Sequence, residues 1–443
     1  MTRREYDSLG AVEVPENKYW GAQTERARRN FPIGQEKLPK ELISAFGLLK
    51  RACASVNENK GLLSKRLSTA IMKAAKEVEQ GDLDEHFPIS LWQTGSGTQS
   101  NMNVNEVIAN RAIELLQGRL GSKTPVHPND HVNLGQSSND CFPTAMNIAC
   151  ATVLHARLLP EIGSFQRELE RLSKDFSKVV KIARTHLQDA VPMTLGQEFS
   201  AYAAQFDDNR QRLQALLPEV YRLAQGATAV GTGLNAPKGF GEAVAQKVAQ
   251  ERKLPFVSQK NKFSAIACHD SLLFLHGALK TAAASLWKLS DDLRWLSSGP
   301  RCGLGEIRLP ANEAGSSIMP GKVNPTQAEA AIMVAAQIMG NDTTVNMAGA
   351  AGNFELNVCK PVIAFKLLQS MGLLSDCLQS LRERCLSGIE IREERLRYYV
   401  ERSLMKVTAL NPWVGYDSAA KIAQRAQERD CSLKEAALEL KVE

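Results

Sequence analysis

The chain reads as a mainly α-helical protein built around a long central helical bundle. Three observations carry that expectation. Proline placement leaves long uninterrupted windows, Phe256 to Gly299, Thr326 to Lys360 and Val362 to Asn411, and none of them alternates as a strand does. Leu272, Leu275, Leu279, Ala282, Leu286, Leu289, Leu293 and Leu296 step by three and four residues for more than three heptads, the pattern of a helix packed along its length. Ala328 to Met339 is apolar nearly all round, which predicts burial on most sides. Helices of roughly forty residues outrun a compact small domain, so burial against further copies of the chain, homo-oligomerisation, is expected.

From the amino terminus, the chain to about Gln136 mixes short helical segments with loops rich in Gly, Pro and Asn, and helical periodicity resumes after the charged run IREERLR. Soft boundaries near Ser137 and Glu393 give an N-terminal domain (1–136), a central long-helix bundle (137–393) and a small C-terminal helical domain (394–443). The long leucine helix is expected to stop at Ser298-Gly299-Pro300.

At 443 residues, 44% hydrophobic and 23% charged, the chain has the composition of an ordinary soluble protein with a sizeable core. A net charge of +6, with basic residues scattered among acidic ones, argues against a nucleic-acid partner. MTRREYDSLG has no apolar run behind its basic residues, and no later stretch reads as long enough to span a membrane; the expectation is a cytoplasmic protein with no membrane partner. The nine cysteines include no Cys-x-x-Cys pair, and most of them are expected to be small buried hydrophobes in a reducing compartment, with no metal site.

Four polar loops concentrate the chemistry. TGSGTQSNMNVNE (Thr94 to Glu106) has glycines beside Ser96 and Thr98 but lacks the Gly-Lys-Ser/Thr ending of a phosphate loop, and Gly231-Thr232-Gly233 lacks a third glycine for a dinucleotide fold, so no cofactor is expected. In HPNDHVNLGQSSND (His127 to Asp140), Pro128 breaks any shared helical face for His127 and His131, and capping and turn roles are the local reading. RTHLQD (Arg184 to Asp189) surrounds His186 with polar groups that would fix one tautomer. Last, GSSIMPGKVNP (Gly315 to Pro325) joins Ser316 and Ser317, a Pro320-Gly321 turn, the Lys322 ammonium and a helix start read from Asn324 as N-cap, Pro325 and Glu329. A helix opening behind such a loop aims free N–H groups at it, so the substrate of any site here carries negative charge.

Together these strings resemble the fumarase/aspartase superfamily, and within it the class II fumarate hydratases. GSSxMPxKxN, matched from Gly315 through Asn324, is the superfamily signature. The resemblance extends over nearly the whole chain, through YWGAQTERA (Tyr19 to Ala27), the three other polar loops, SGPRCGLGEI (Ser298 to Ile307) and GNFELNV (Gly352 to Val358). Aspartate ammonia-lyase is the nearest alternative. Its polar loop typically reads Ser-Thr-Asn-Asp where this chain has Ser137-Ser138-Asn139-Asp140, and some aspartases carry glutamine where this chain has His186. Cys359 and Asn147 depart from the residues common in the family, and the chain stops earlier than similar fumarases.

The resemblance implies a cofactor-free hydro-lyase of the citric acid cycle with a three-domain fold, a homotetramer whose multi-helix core buries the long helices. It implies that Ser316 removes the C3 proton of malate while His186, acting through a water and paired with Glu329, serves C2. It further implies that Ser96, Gly97, Thr98, Ser137, Ser138, Asn139, Thr185, Ser317, Lys322, Val323 and Asn324 bind the dicarboxylate. His127, Pro128, Asn129 and Asp130 would form a second dicarboxylate site.

Overall fold

A computed structural model describes residues 1–442. In chain order the hairpin β1 (Thr2–Asp7) and β2 (Gly10–Pro15) precedes α1 (Ala22–Asn30), α2 (Lys40–Asn59), α3 (Lys65–Gln80), α4 (Thr98–Leu115), α5 (Ser138–Val153) and α6 (Leu159–Asp175). A second hairpin, β3 (Val180–Thr185) and β4 (Gln188–Thr194), leads into α7 (Leu195–Val220), α8 (Phe240–Arg252), α9 (Lys262–Ala267) and α10 (Asp270–Leu296). Then come α11 (Thr326–Gly349), α12 (Lys360–Arg384), α13 (Glu393–Arg402), α14 (Asn411–Val414), α15 (Tyr416–Arg429) and α16 (Leu433–Glu439). Besides the hairpins, the described strands are pairs of two-residue segments, so the protein is mainly α.

The leucine stripe is the backbone of α10: Leu272, Leu275, Leu279, Ala282, Leu286, Leu289, Leu293 and Leu296 are all buried. The expected length needs correcting. The Phe256 to Gly299 window is broken at Cys268, whose extended backbone (φ −129°, ψ 149°) separates α9 from α10, and α10 at 27 residues is the longest uninterrupted α-helix among the described residues. The Thr326 to Lys360 window is likewise interrupted, since α11 ends at Gly349, before the short hairpin at Gly352–Asn353 and Leu356–Asn357.

Within the single chain, the burial expected on most sides of Ala328 to Met339 is confined to one side. One stripe of α11, Ala328, Ala331, Ala335, Ile338 and Val345, is buried, while Met333 and Met347 on the other side are 67% and 71% exposed. Nor are the helices before Gln136 short. The helices α2, α3 and α4 run 20, 16 and 18 residues, and α4 escapes a propensity reading because it buries Asn101, Asn103, Asn105 and Asn110 on hydrogen bonds and tertiary contacts. Finally, the helix from Lys360 to Gly388 is long and apolar enough to cross a membrane, contrary to the reading of the sequence. Most of its apolar window is buried inside the protein, as in a core helix.

The chain divides into two compact units. One comprises Met1–Pro160, Gln211–Thr281 and Ala336–Ser375, and its α2 packs against α3, α5 and α8. Ile43, Phe46, Lys50, Cys53 and Asn57 form the inward stripe of α2, and Phe46 meets Phe142 of α5 edge-on, centroids 5.6 Å apart. The other comprises Glu161–Arg210, Ala282–Ala335 and Asp376–Glu443; there α13 packs on β3, and Val407, Ala419, Ile422, Ala426 and Ala436 form a small core.

Candidate active site

In the first unit, two helix N-termini stand side by side and carry two of the polar loops. Gly97, at φ 76°, directly precedes α4, and a Cβ there would lie 2.1 Å from the Phe142 ring, so the turn demands glycine. Ser96 Oγ and Thr98 Oγ1 lie 2.9 Å apart across it. The loop is pressed against the chain before α12: Lys360 N–H donates to the Gly95 carbonyl at 3.0 Å, and a Cβ on Gly95 would lie 1.3 Å from the Val358 oxygen.

At the start of α5, Ser137 is the N-cap and its hydroxyl accepts from Asn139 N–H at 3.2 Å. Asp140 returns the bond, accepting from Ser137 N–H at 3.0 Å, a reciprocal capping box. Its other oxygen accepts from Gln225 Nε2, Gly226 N–H and Thr228 N–H at 3.2, 3.0 and 2.9 Å. Burial pushes the Asp140 carboxyl up to about 6, against the downward pull of those N–H groups and of the Lys50 charge. Ser138 Oγ accepts from Asn101 Nδ2 of α4 at 3.0 Å, which joins the two N-termini, and Asn139 Nδ2 donates to the Ala229 carbonyl at 2.8 Å.

His127 to Asp130 behaves as a cap. The His127 Nδ1 atom accepts from the N–H groups of Asn129 and Asp130, both at 3.2 Å, opening a π-helical turn over Pro128–Val132, and His131 Nδ1 accepts from His127 N–H at 2.8 Å. Burial lowers the His127 pKa.

The second unit carries the remaining predicted residues. Thr185 pairs with Gln188 across the β3–β4 turn, and the two central residues, His186 and Leu187, have φ of 55° and 61°. Positive φ at both positions is the geometry of a tight two-residue hairpin turn, normally filled by Asn-Gly, and a non-glycine pair there is strained. The strain is held by what lies behind the turn. Fully buried Glu306 pairs with Lys181 and Arg184 of β3, and Arg184 and Arg395 both lie over the Tyr399 ring, at 5.3 and 4.7 Å. Arg395 and Tyr399 also bond the carbonyls of Gly303 and Leu304, so SGPRCGLGEI is the buttress of the hairpin. Thr185 and His186 themselves are exposed, and no group among the described residues hydrogen-bonds the His186 ring, so its polar neighbours in sequence do not fix a tautomer as expected.

The signature loop closes on itself. Gly315 N–H donates to the Lys322 carbonyl at 2.9 Å, and Asn324 Nδ2 donates to the Gly315 carbonyl at 2.6 Å. Asn324 is therefore not the N-cap expected from the sequence: α11 begins at Thr326, and the amide serves as the clasp of the loop instead. Ser316 Oγ accepts from two backbone N–H groups, Met319 at 2.9 Å and Ile318 at 3.2 Å. Lys322 and Ser317 are exposed, as are Val323 and, in the first turn of α11, Glu329. Two donors on one hydroxyl oxygen stabilise negative charge on it, and an ammonium on the same loop attracts a carboxylate.

Sequence reasoning missed four buried charges that support these loops: Lys50, Glu106, Asp140 and Glu306. Glu106 accepts from the N–H groups of Gly21, Gln23 and Thr24, which caps α1. Lys50 had a signal, since it occupies a position in the apolar stripe of α2.

A family model described as "Lyase" matches residues 10–340, and one described as "Fumarase C C-terminus" matches residues 407–442. The class II fumarate hydratase of Thermosynechococcus vestitus is 57% identical over 99% of this chain and 94% of its own length. Human mitochondrial fumarate hydratase is likewise 57% identical over 99% of this chain, which covers 86% of the human protein. The crystal structure of a class II fumarase from Schistosoma mansoni superposes with a TM-score of 0.98 at 45% identity, over all of this chain and 96% of that one.

Proposed function

The chain belongs to the class II fumarate hydratases, a family of lyases, and from that premise we propose how its residues add water reversibly to fumarate to give (S)-malate. Removing the weakly acidic C3 proton of malate places a second negative charge on the adjoining carboxylate, so the catalytic burden is mainly electrostatic. Ser316 takes that proton. The observation that carries the reading is the pair of backbone N–H groups on Ser316 Oγ, which favours the deprotonated oxygen a base requires.

Lys322, Val323 and Asn324, with Ser317 and with Ser137, Ser138 and Asn139, hold the carboxylate on which charge develops. Ser96, Gly97, Thr98 and Thr185 bind the remaining polar atoms. His186, acting through a water and paired with Glu329, protonates the departing hydroxyl at C2, a task suited to an imidazole. His127, Pro128, Asn129 and Asp130 form a second dicarboxylate site.

The working form is a homotetramer in which several copies of the chain contribute to each site. Two features support this: Thr185, His186, Lys322 and Glu329 are exposed in the single chain, and α11 leaves Met333 and Met347 uncovered. Within it the divisions 1–136, 137–393 and 394–443 act as N-terminal, central and C-terminal domains. A reducing, cytoplasmic setting is supported by nine cysteines that are all free; only Cys53, Cys141, Cys150 and Cys385 of them are buried, fewer than the majority expected from the sequence.

Ultraviolet absorbance of fumarate, followed on mixing the protein with malate and then with aspartate, tests the reading. Fumarate from malate is expected; fumarate from aspartate alone would make the enzyme an ammonia-lyase and overturn the role of water.

A further inference from the structure

Lys50 lies in the middle of α2 with none of its side chain exposed to solvent. An ammonium in such a place normally has a carboxylate beside it, because desolvating an unpaired charge costs several kcal/mol. Lys50 has no ion-pair partner among the described residues. Its Nζ donates instead to two neutral amides, Asn133 Oδ1 and Gln136 Oε1, each at 3.0 Å, and lies 3.6 Å from Cys141 Sγ. The acceptors lead in one direction. Asn133 Oδ1 also accepts from Asn101 Nδ2 at 3.2 Å and Asn105 Nδ2 at 3.1 Å, and the same Asn101 amide donates to Ser138 Oγ at 3.0 Å.

Gln136 immediately precedes the Ser137–Asn139 loop, Cys141 follows it, and Asp140 at its end is spent on four N–H groups. The local charge balance is thus a buried carboxylate turned toward the 225–228 backbone and a buried ammonium beneath the loop, bridged to it by neutral dipoles. Neutral bridges orient along the field of the cation without cancelling it.

We propose that Lys50 is a positioning residue for the hydration reaction. Through Asn133, Gln136 and Asn101 it fixes the orientation of Ser138, and its charge, in direct contact with no carboxylate among the described residues, raises the affinity of the Ser137–Asn139 loop for a substrate carboxylate. The inference rests on the assignment of that loop to substrate binding. It explains why no carboxylate among the described residues touches the cation: a direct ion pair would weaken the field that the loop uses. It also explains Asn101 and Asn105 on the buried face of α4, whose amides meet Asn133 Oδ1, the acceptor of the ammonium, without adding charge.

The experiment compares Lys50→Met, which removes charge and donors, with Lys50→Gln, which keeps a donor and removes the charge. Both are assayed for KM and kcat with fumarate and malate, for inhibition by succinate, and for Tm. For each folded variant a rise of about tenfold in KM and in the succinate inhibition constant is expected, the scale of one lost charge-assisted interaction, with kcat within about threefold. A lysine that merely supports the fold would lower Tm and leave KM and succinate inhibition unchanged, and that result overturns the proposal. Asn101→Ala, which cuts the bridge to Ser138 and leaves Lys50 in place, gives an independent reading should neither Lys50 variant fold. A rise of about threefold in KM is expected there, and an unchanged KM overturns the proposal equally. If the parent enzyme releases fumarate from aspartate and not from malate, the hydratase reading fails alone, and the same comparison is made on the KM for aspartate.

Discussion

The Ser137–Asn139 loop and the Gly315–Asn324 loop are both serine-bearing turns in front of a helix, yet they are built in opposite ways. The first is tied to its surroundings: Asp140 joins it to residues 225–228, Asn139 to Ala229, and Ser138 to α4. The second is tied mainly to itself, through the Gly315–Lys322 and Asn324–Gly315 bonds, and it shows Ile318, Met319 and Val323 to solvent at 84%, 48% and 48%. One half of the proposed site is therefore held by tertiary bonds, while the half bearing the proposed base is ordered by bonds within its own loop. The difference teaches that chemistry and stability should separate: lesions in the exposed loop should cost turnover, and lesions in the welded one should cost folding.

The sharpest break of that comparison is Ser316→Ala. It should lower kcat by on the order of 10² or more, with Tm unchanged because the hydroxyl bonds only its own loop. Steady-state kinetics beside a thermal melt decide it, and near-normal turnover would remove serine from the base role. Next is His186→Asn, for which a loss in kcat of about 10² is expected with little change in Tm, since asparagine tolerates the positive φ of the turn. A large fall in Tm with activity retained would make the histidine a structural turn residue.

The smallest expected effect on chemistry, and the largest on stability, comes from Asp140→Asn. Replacing one acceptor oxygen by an NH2 faces donors against donors and should cost about 1–3 kcal/mol in denaturant unfolding. Its pH dependence has a definite sign. The folded-state value near 6 lies above the ordinary 3.8, so the contribution of the carboxyl is fullest in acid and is lost as pH rises through about 6. The gap in stability between parent and variant should accordingly be wider at pH 5 than at pH 8, and a gap that widens toward pH 8 would show that the N–H donors outweigh burial.

Much of this was legible in residue order, because the signals are local. The α10 stripe is a period of three and four in one residue type, and the signature loop packs its serines, turn and cation into eleven positions, Gly315 to Pro325. The misreadings have the opposite cause. Asn324 looks like an N-cap because caps and clasps use the same amide, and only the approach of Gly315 decides between them. The window ending at Gly299 looks unbroken because no proline marks Cys268, where the chain turns extended before α10.

The helical class, the family and the string of polar loops follow from residue order, since each is written in short-range periodicity or contiguous motif. Tertiary structure alone decided which buried charges stand behind those loops. That Lys50 faces Asn133 and Gln136, that Asp140 faces 225–228 and that Glu306 braces a strained His186 turn are pairings across 83 to 122 residues. A buried charge is specified by whatever compensates it, and the compensating group can lie anywhere in the chain that folding brings near.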